Sequence, residues 1–160
     1  MKLSDTAINM LKTFEGLELG AYKCSAGVWT IGYGHTGPEV SEGMTITEPE
    51  AEDLLRKDIE SFEREVTLLT SDLGLAQHQF DALVSFSFNI GISSLKKSTL
   101  FKYVCQGDYA SAVPEFMKWV NAGGKPVKGL FARRGAEAAL FAGRDWREGW
   151  DGGIAAFNAR

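Results

Sequence analysis

The chain has 160 residues and a mass of 17.5 kDa, which suits one domain or two small lobes that share a chain. Hydrophobic residues make up 44% and charged residues 24% of the sequence, as in ordinary globular proteins, which excludes a wholly disordered or low-complexity chain. The formal net charge is −4 at pH 7. A domain that binds nucleic acid usually carries a basic excess instead, so we expect no nucleic-acid partner.

No segment approaches the roughly 18 apolar residues that a membrane-spanning helix needs, and the first residues lack the apolar core of a signal peptide. The sequence therefore predicts no stable membrane anchor and synthesis in a cytoplasm, where both thiols, Cys24 and Cys105, begin reduced. A later Cys24–Cys105 disulfide stays open. The two cysteines and two histidines lack the spacing of metal ligands, so we expect no metal and no cofactor.

The first third of the chain predicts a helix, a hairpin and a second helix. Apolar residues at helical spacing follow a capping Ser4 or Asp5 and end near Glu15, where Gly16 suits the position beyond the last turn. Strand-forming residues at 22 and 28–33 flank a turn at 25–27, which indicates a β-hairpin. A capping box at 47–50 then opens a helix of about 48–66.

The rest of the chain is predicted to be helical. The segment 76–90 is apolar nearly all round, which is typical of a buried helix. Further helices are predicted at 93–105, 108–121 and 130–142, and the tail from Gly143 is predicted to be loop-like. The residues alone therefore indicate a hairpin near the start, followed by helices.

Three residues stand out as candidates for chemistry: Glu15, Cys24 and Thr30. Glu15 ends a helix with an apolar flank, and both the helix C-terminus and apolar neighbours disfavour an ionised carboxyl, as a general acid near neutral pH requires. A turn at 25–27 places Cys24 opposite Val28, with Thr30 two positions on and on the same face. The plainer alternative is a surface charge, a small buried thiol and an ordinary strand residue.

The spacing Glu15, eight residues, Cys24, five residues, Thr30 resembles the phage-type lysozyme (endolysin, muramidase) family, whose pattern has Asp or Cys at the second position. The pattern lies in the stretch that runs from Phe14–Leu17 through Thr30–Thr36. Segments 79–91, 98–100 and 129–137 resemble later blocks of the family, so the resemblance covers about residues 4–143.

The resemblance implies an α+β, lysozyme-like fold in a single domain of residues 1–160. A small lobe containing the β-hairpin would span about 15–50. A larger helical lobe would comprise about 1–14 and 60–160, and a long helix of about 48–66 would join the two lobes. The polysaccharide is expected in the cleft between them.

The resemblance also implies hydrolysis of the β-1,4 bond between N-acetylmuramic acid and N-acetylglucosamine in peptidoglycan. Glu15 would be the general acid, Thr30 would help to position the attacking water, and Cys24 would occupy the second catalytic position. Arg133, favoured over its neighbour, would lie against the acid. Among the supporting or substrate-binding candidates, His35 more readily forms a structural ion pair, and Tyr33 more readily belongs to the local core than to a sugar-stacking surface.

At position 24 this chain has Cys, whereas most close relatives in the family it resembles have Asp. A free thiol has a pKa near 8.5, and Glu15 is expected to raise it further, so the thiol is expected to be neutral. Water positioning, a thiolate base and a thiol nucleophile all stay open, as do inversion and retention. Two other functions stay open: a lytic transglycosylase that cleaves the same bond, and a non-catalytic peptidoglycan-binding module.

The biology follows from the same resemblance. Phage endolysins of this kind accumulate in the host cytoplasm, await release by a holin, and then act on the cell wall to lyse the host. We therefore expect peptidoglycan as the partner, holin-dependent release and a monomer.

Overall fold

The structure, a computed structural model, describes all 160 residues. It contains eight α-helices, five short strands and one 3-10 helix at Phe116–Lys118. The helices are α1 (Asp5–Glu15), α2 (Glu48–Thr70), α3 (Gln77–Ile90), α4 (Ile92–Lys97), α5 (Thr99–Cys105), α6 (Tyr109–Glu115), α7 (Lys128–Phe141) and α8 (Trp146–Asn158). The strands are β1 (Glu18–Lys23), β2 (Trp29–Gly32), β3 (His35–Thr36), β4 (Asn121–Ala122) and β5 (Lys125–Pro126).

The chain forms two compact units. One comprises Ile8–Ser61, and the other comprises Met1–Ala7 together with Phe62–Arg160. Helix α2 supplies residues to both, and it continues four residues beyond the predicted end at 66, to Thr70. The predicted capping box is confirmed, because the Thr47 hydroxyl accepts the Glu50 N–H at 3.3 Å while a Glu50 carboxylate oxygen accepts the Thr47 N–H at 3.1 Å.

The predicted hairpin is confirmed as part of a three-stranded antiparallel sheet of order β1-β2-β3. The Cys24 N–H donates to the Val28 carbonyl at 3.0 Å, which closes the turn where it was expected. Gly27 adopts φ +76° within that turn, a left-handed conformation that glycine tolerates without strain. The third strand, β3, was not expected; it pairs Thr36 with Thr30 on β2.

Both helices and the sheet supply the core of the Ile8–Ser61 unit. Leu11 of α1, Ile31 of β2, and Leu55 and Ile59 of α2 are all almost completely buried. The apolar faces of α1 and α2 therefore have the burial that their helical spacing predicted.

The second unit, Met1–Ala7 with Phe62–Arg160, is called the helical unit from here on. It is built around α3, which is buried over most of its length as predicted. The ring of Phe86 lies edge-on to those of Phe116 and Trp119, with centroids 5.3 Å and 5.6 Å away. The predicted helix at 93–105 is wrong in one respect, because Ser98 adopts an extended backbone and starts a new helix by accepting the Phe101 N–H. The predicted helix at 108–121 likewise ends early, at Glu115, and continues as the 3-10 turn.

The prediction of a loop-like tail is wrong, because residues 146–158 form α8. Asp145 caps this helix by accepting the Arg147 N–H at 2.9 Å. Glycines at the contact with α7 allow the two backbones to approach closely: a Cβ built on Gly149 would lie 2.2 Å from the Gly135 carbonyl oxygen. The segment has an apolar stripe at helical spacing, with Trp146, Trp150, Ile154 and Phe157, but its three glycines have low helix propensity and favoured the loop interpretation. None of the helices has both the length and the apolar composition needed to cross a membrane.

Candidate active site

Glu15 is the last residue of α1, and its side chain is half-buried. Gly16 follows at φ +70° and ends the helix with its N–H on the Lys12 carbonyl at 3.0 Å. The Glu15 carboxyl lies against the turn between β2 and β3, since a Cβ built on Gly34 would stand 3.6 Å from Glu15 Oε2. Gly34 has φ +83°, so both its backbone and its missing side chain suit this approach.

Cys24 and Thr30 lie on the same β1–β2 hairpin. Cys24 is half-buried and Thr30 is buried. The Thr30 hydroxyl donates to the Val28 carbonyl at 3.0 Å. Its oxygen keeps acceptor capacity, which is what orienting a water requires.

The turn of the hairpin makes the Cys24 thiol more acidic than an ordinary cysteine. Backbone N–H groups of Val28 and Ala26 hydrogen-bond to the sulfur and lower the pKa of Cys24, and this outweighs the opposing effect of partial desolvation. The Thr30 side chain lowers the pKa further. The expectation that the thiol pKa is raised, with Glu15 as the cause, is therefore wrong: donors to the sulfur favour the thiolate.

His35 forms a structural ion pair, as expected from the sequence. Its Nδ1 lies 2.9 Å from an Asp58 carboxylate oxygen, and its Nε2 lies 2.6 Å from Glu39 Oε1. Desolvation lowers the pKa of His35, but the hydrogen bonds to Glu39 and Asp58 outweigh it and raise the pKa above its usual value. Tyr33 is buried in the core of its unit, with the Lys12 ammonium 5.9 Å from its ring centroid. The supporting roles of His35 and Tyr33 toward substrate stay predictions.

Arg133 lies on α7 within a buried polar cluster. Its Nε is 3.7 Å from a carboxylate oxygen of Glu137, which also accepts the Ser85 hydroxyl at 2.5 Å. The neighbouring Arg134 is completely buried, pairs with Glu137 at 3.2 Å and donates to Asn89. The expected role of Arg133 beside the catalytic acid stays a prediction.

The two cysteines are both free thiols, with Cys105 exposed at the end of α5. No group of three or more His, Cys, Asp or Glu side chains is arranged to hold a metal ion. The candidate groups that the sequence singled out at or beside the hairpin are the Glu15 carboxyl, the Cys24 thiol and the Thr30 hydroxyl.

A sequence model described as phage lysozyme matches residues 12–137. The chain belongs to the phage lysozyme family. It is 44% identical over 143 residues to the endolysin of Bacillus phage PZA, a match that covers 88% of this chain and 55% of that protein. The chain thus spans about half the length of that relative.

Two further relatives match over nearly their whole length. The endolysin of Acyrthosiphon pisum secondary endosymbiont phage 1 is 45% identical over 148 residues, covering 88% of this chain and 98% of the relative. The solved muramidase domain of SpmX from Asticaccaulis excentricus is 37% identical with a TM-score of 0.79, covering 88% of this chain and 97% of that one. The predicted family and the predicted α+β, lysozyme-like fold are both confirmed.

Sequence reasoning missed several residues that shape the site. The amides of Ala26 and Val28 act through the backbone, so no side chain signals them. The approach of Gly34 to the Glu15 carboxyl joins two separate elements of the chain, so it needed the structure. Asp58 is 23 positions from His35, and no local pattern links the two.

Proposed function

We propose that this chain hydrolyses bacterial peptidoglycan and thereby lyses the host cell of a phage. Membership of the phage lysozyme family supports this, as does the endolysin name of its relatives. We propose further that it is a muramidase, cleaving the β-1,4 bond between N-acetylmuramic acid and N-acetylglucosamine. The observation that carries this is the site itself, with the Glu15 carboxyl against the turn of the same sheet whose hairpin bears Cys24 and Thr30.

In the proposed reaction, protonated Glu15 donates its proton to the glycosidic oxygen as the bond to the anomeric carbon breaks. A water molecule, oriented by the Thr30 hydroxyl, adds to that carbon. The Cys24 thiolate offsets positive charge on the sugar ring and takes one proton from this water, whose other O–H becomes the new hydroxyl. Proton exchange with solvent then returns Cys24 to the thiolate and Glu15 to the protonated acid. Both products then carry free hydroxyl groups, and the proton balance requires no cofactor.

The thiolate is the form of Cys24 that can perform this step. A neutral thiol is a poor base, whereas the lowered pKa of Cys24 increases the thiolate fraction at neutral pH. We propose that Arg133 orients the Glu15 carboxyl, and that His35 and Tyr33 support the strands around it.

Mass spectrometry of the muropeptides released from purified peptidoglycan tests the reaction. Hydrolysis by a muramidase predicts reducing muramic-acid ends with the mass of one added water. Release of peptides with intact glycan strands would point to an amidase and contradict the proposal. Walls that bind the chain without any release would make it a binding module.

The thiol at position 24 favours a second candidate, a lytic transglycosylase. In that reaction the 6-hydroxyl of the muramic acid attacks the anomeric carbon, so no second acid or base for water is needed. The same spectra decide between the two, because a transglycosylase leaves 1,6-anhydro ends that lack the added water.

We propose that the chain awaits release in the host cytoplasm, depends on a holin to reach the wall, and acts as a monomer. Expression in a sensitive host with and without a holin tests the release step, with lysis expected only when both are present. Lysis by the chain alone would overturn holin dependence. Sedimentation of the purified chain tests its oligomeric state, and a single species with the mass of one chain, 17.5 kDa, is expected.

A further inference from the structure

A recess of about 260 Å³ lies in the helical unit, and none of its residues belongs to the candidate active site. It is lined by Thr99, Leu100, Glu115, Lys118 and Trp119. Thr99 and Leu100 open α5, Glu115 ends α6, and Lys118 and Trp119 belong to the 3-10 turn and the residue after it. The lining thus combines one acidic, one basic and one aromatic side chain with a hydroxyl and an aliphatic group.

The carboxylate of Glu115 determines the chemistry of this recess. Its side chain is only 6% exposed, and the ammonium of Lys118 contacts its Oε2. The Lys118 side chain is 71% exposed and stands on the same turn, three residues further on. A carboxylate taken out of water is costly unless a cation accompanies it. Here that cation is supplied by a flexible surface side chain.

The other walls suit the alkyl part of a cationic ligand. Trp119 is half-buried, with its indole edge-on to Phe86, and it lines the recess beside Leu100, which itself has no solvent-exposed surface. An aromatic ring attracts an ammonium group, and its apolar surface stabilises methylene groups removed from water. A lysine-like chain matches this combination, because its ammonium can pair with Glu115 while its methylene groups pack on the indole of Trp119.

We propose that this recess binds a primary ammonium group at the end of a short alkyl chain, with Glu115 as its counter-ion and Lys118 as an internal competitor that the ligand displaces. Two sources carry this chemistry: the side-chain amine of a diamino acid in a wall peptide, and a free polyamine. The wall-peptide source rests on the proposed function, whereas the ammonium site itself does not.

Nuclear magnetic resonance of the full-length, ¹⁵N-labelled chain tests the site directly. The indole N–H signal of Trp119, assigned with Trp119→Phe, is followed while Nα-acetyl-lysine amide or cadaverine is added. A saturable shift is expected with these amines and none with their side-chain N-acetylated forms. Lys118→Ala should bind about tenfold more tightly because the competitor is gone, and Glu115→Gln at least about tenfold more weakly. Lys125→Ala, an exposed lysine outside the recess, should bind as the unaltered chain does.

Equal shifts from the amines and their acetylated forms would overturn the proposal, as would a Lys118→Ala variant that binds no more tightly. Should Glu115→Gln fail to fold, Lys118→Ala still decides, because it retains the carboxylate. Muropeptides with free and acetylated side-chain amines separate the sources: discrimination between them supports a wall peptide, and binding of cadaverine alone supports a free amine. Amine binding without any release from walls would overturn the proposed function and leave this site standing.

Discussion

Position 24 shows how backbone geometry changes the chemistry of one side chain. A thiol is a weaker acid than the carboxyl that the family pattern also allows there, so it needs help to act as a base at neutral pH. The turn at 24–28 supplies that help, because it points amide N–H groups at the sulfur. Glu15, which was expected to raise the pKa of this thiol further, is not among the causes of its shift.

The Cys24 thiol should therefore ionise at lower pH than an ordinary cysteine. The rate of iodoacetamide alkylation, measured against pH in a Cys105→Ser background, should reach its midpoint at lower pH than that of an unstructured cysteine peptide measured alongside. Thr30→Val should move the midpoint upward, since it removes one of the groups that lower the pKa. A midpoint at or above that of the peptide would contradict the account of the turn.

Glu15→Gln should lower the rate of wall hydrolysis by at least about 10²-fold, because the amide cannot protonate the leaving oxygen. The melting temperature should change little, because the amide matches the carboxyl in size. Glu18→Gln on the exposed strand β1 is the matched control and should keep nearly full activity. Full activity of Glu15→Gln would remove Glu15 from the mechanism.

At the scale of elements, His35 ties the short strand β3 to helix α2 through Asp58. The strand has only two residues, so its ladder hydrogen bonds alone hold it weakly. Since β3 also pairs with Thr30 and follows Gly34, this ion pair stabilises the strand next to the proposed site. Glu39 adds a second, more exposed carboxylate on the other ring nitrogen.

Asp58→Asn should destabilise the chain by about 1–2 kcal/mol, in a pH-dependent way. The pKa of His35 is raised in the folded state, so its contribution is fully present below its unfolded value of about 6.5 and is lost as pH rises through the folded pKa. The deficit in melting temperature should therefore be largest near pH 6 and shrink toward alkaline pH. Glu39→Gln should show the same trend with a smaller amplitude, because Glu39 is 53% exposed. A deficit that grows with pH would refute this assignment.

The contact between α7 and α8 gives a second prediction at this scale. Gly149→Ala would place a methyl carbon 2.2 Å from the Gly135 carbonyl oxygen and 2.6 Å from Ala139 Cβ. Backbone atoms cannot yield without separating the helices, so we expect a loss of at least about 2 kcal/mol in urea unfolding. Gly152→Ala is the control on the same helix, since no atom lies within 4 Å of the new carbon. It should be neutral or stabilising by up to about 1 kcal/mol, and equal effects of the two variants would rule out close helix contact.

For the whole molecule, the features that local chemistry specifies could be predicted from sequence. The hairpin turn, the capping box at 47–50 and the buried helix α3 each depend on residues close together in the chain. The pairing of His35 with Asp58 could not be predicted, because it joins residues 23 positions apart. Helix α8 was missed because its glycines disfavour a helix in isolation, and only the structure shows that Gly149 and Gly153 allow close packing against α7. Of the candidate site, the hairpin face was predictable, but the acidity of its thiol was not.

Helix α8 lies beyond residues 12–137, the part of the chain matched by the family model. Its packing is extensive nonetheless: Trp146 is buried, Phe157 stacks edge-on with Phe131 at 5.5 Å, and Gly153 approaches the Phe131 carbonyl oxygen. A chain truncated after Gly143 would expose this apolar face of α7 to water. Calorimetry should show a melting temperature lower by about 10 °C or more.

The truncated chain should still release muropeptides at temperatures below its transition. Glu15, Cys24 and Thr30 all belong to the Ile8–Ser61 unit, whereas α8 and its contacts belong to the other unit. A truncated chain that melts with the full-length protein would show that α8 adds no stability. One that stays folded but loses all release would show that the reaction needs α8, either directly or through Arg133 on the helix that α8 covers, and would contradict the expectation that α8 contributes stability alone.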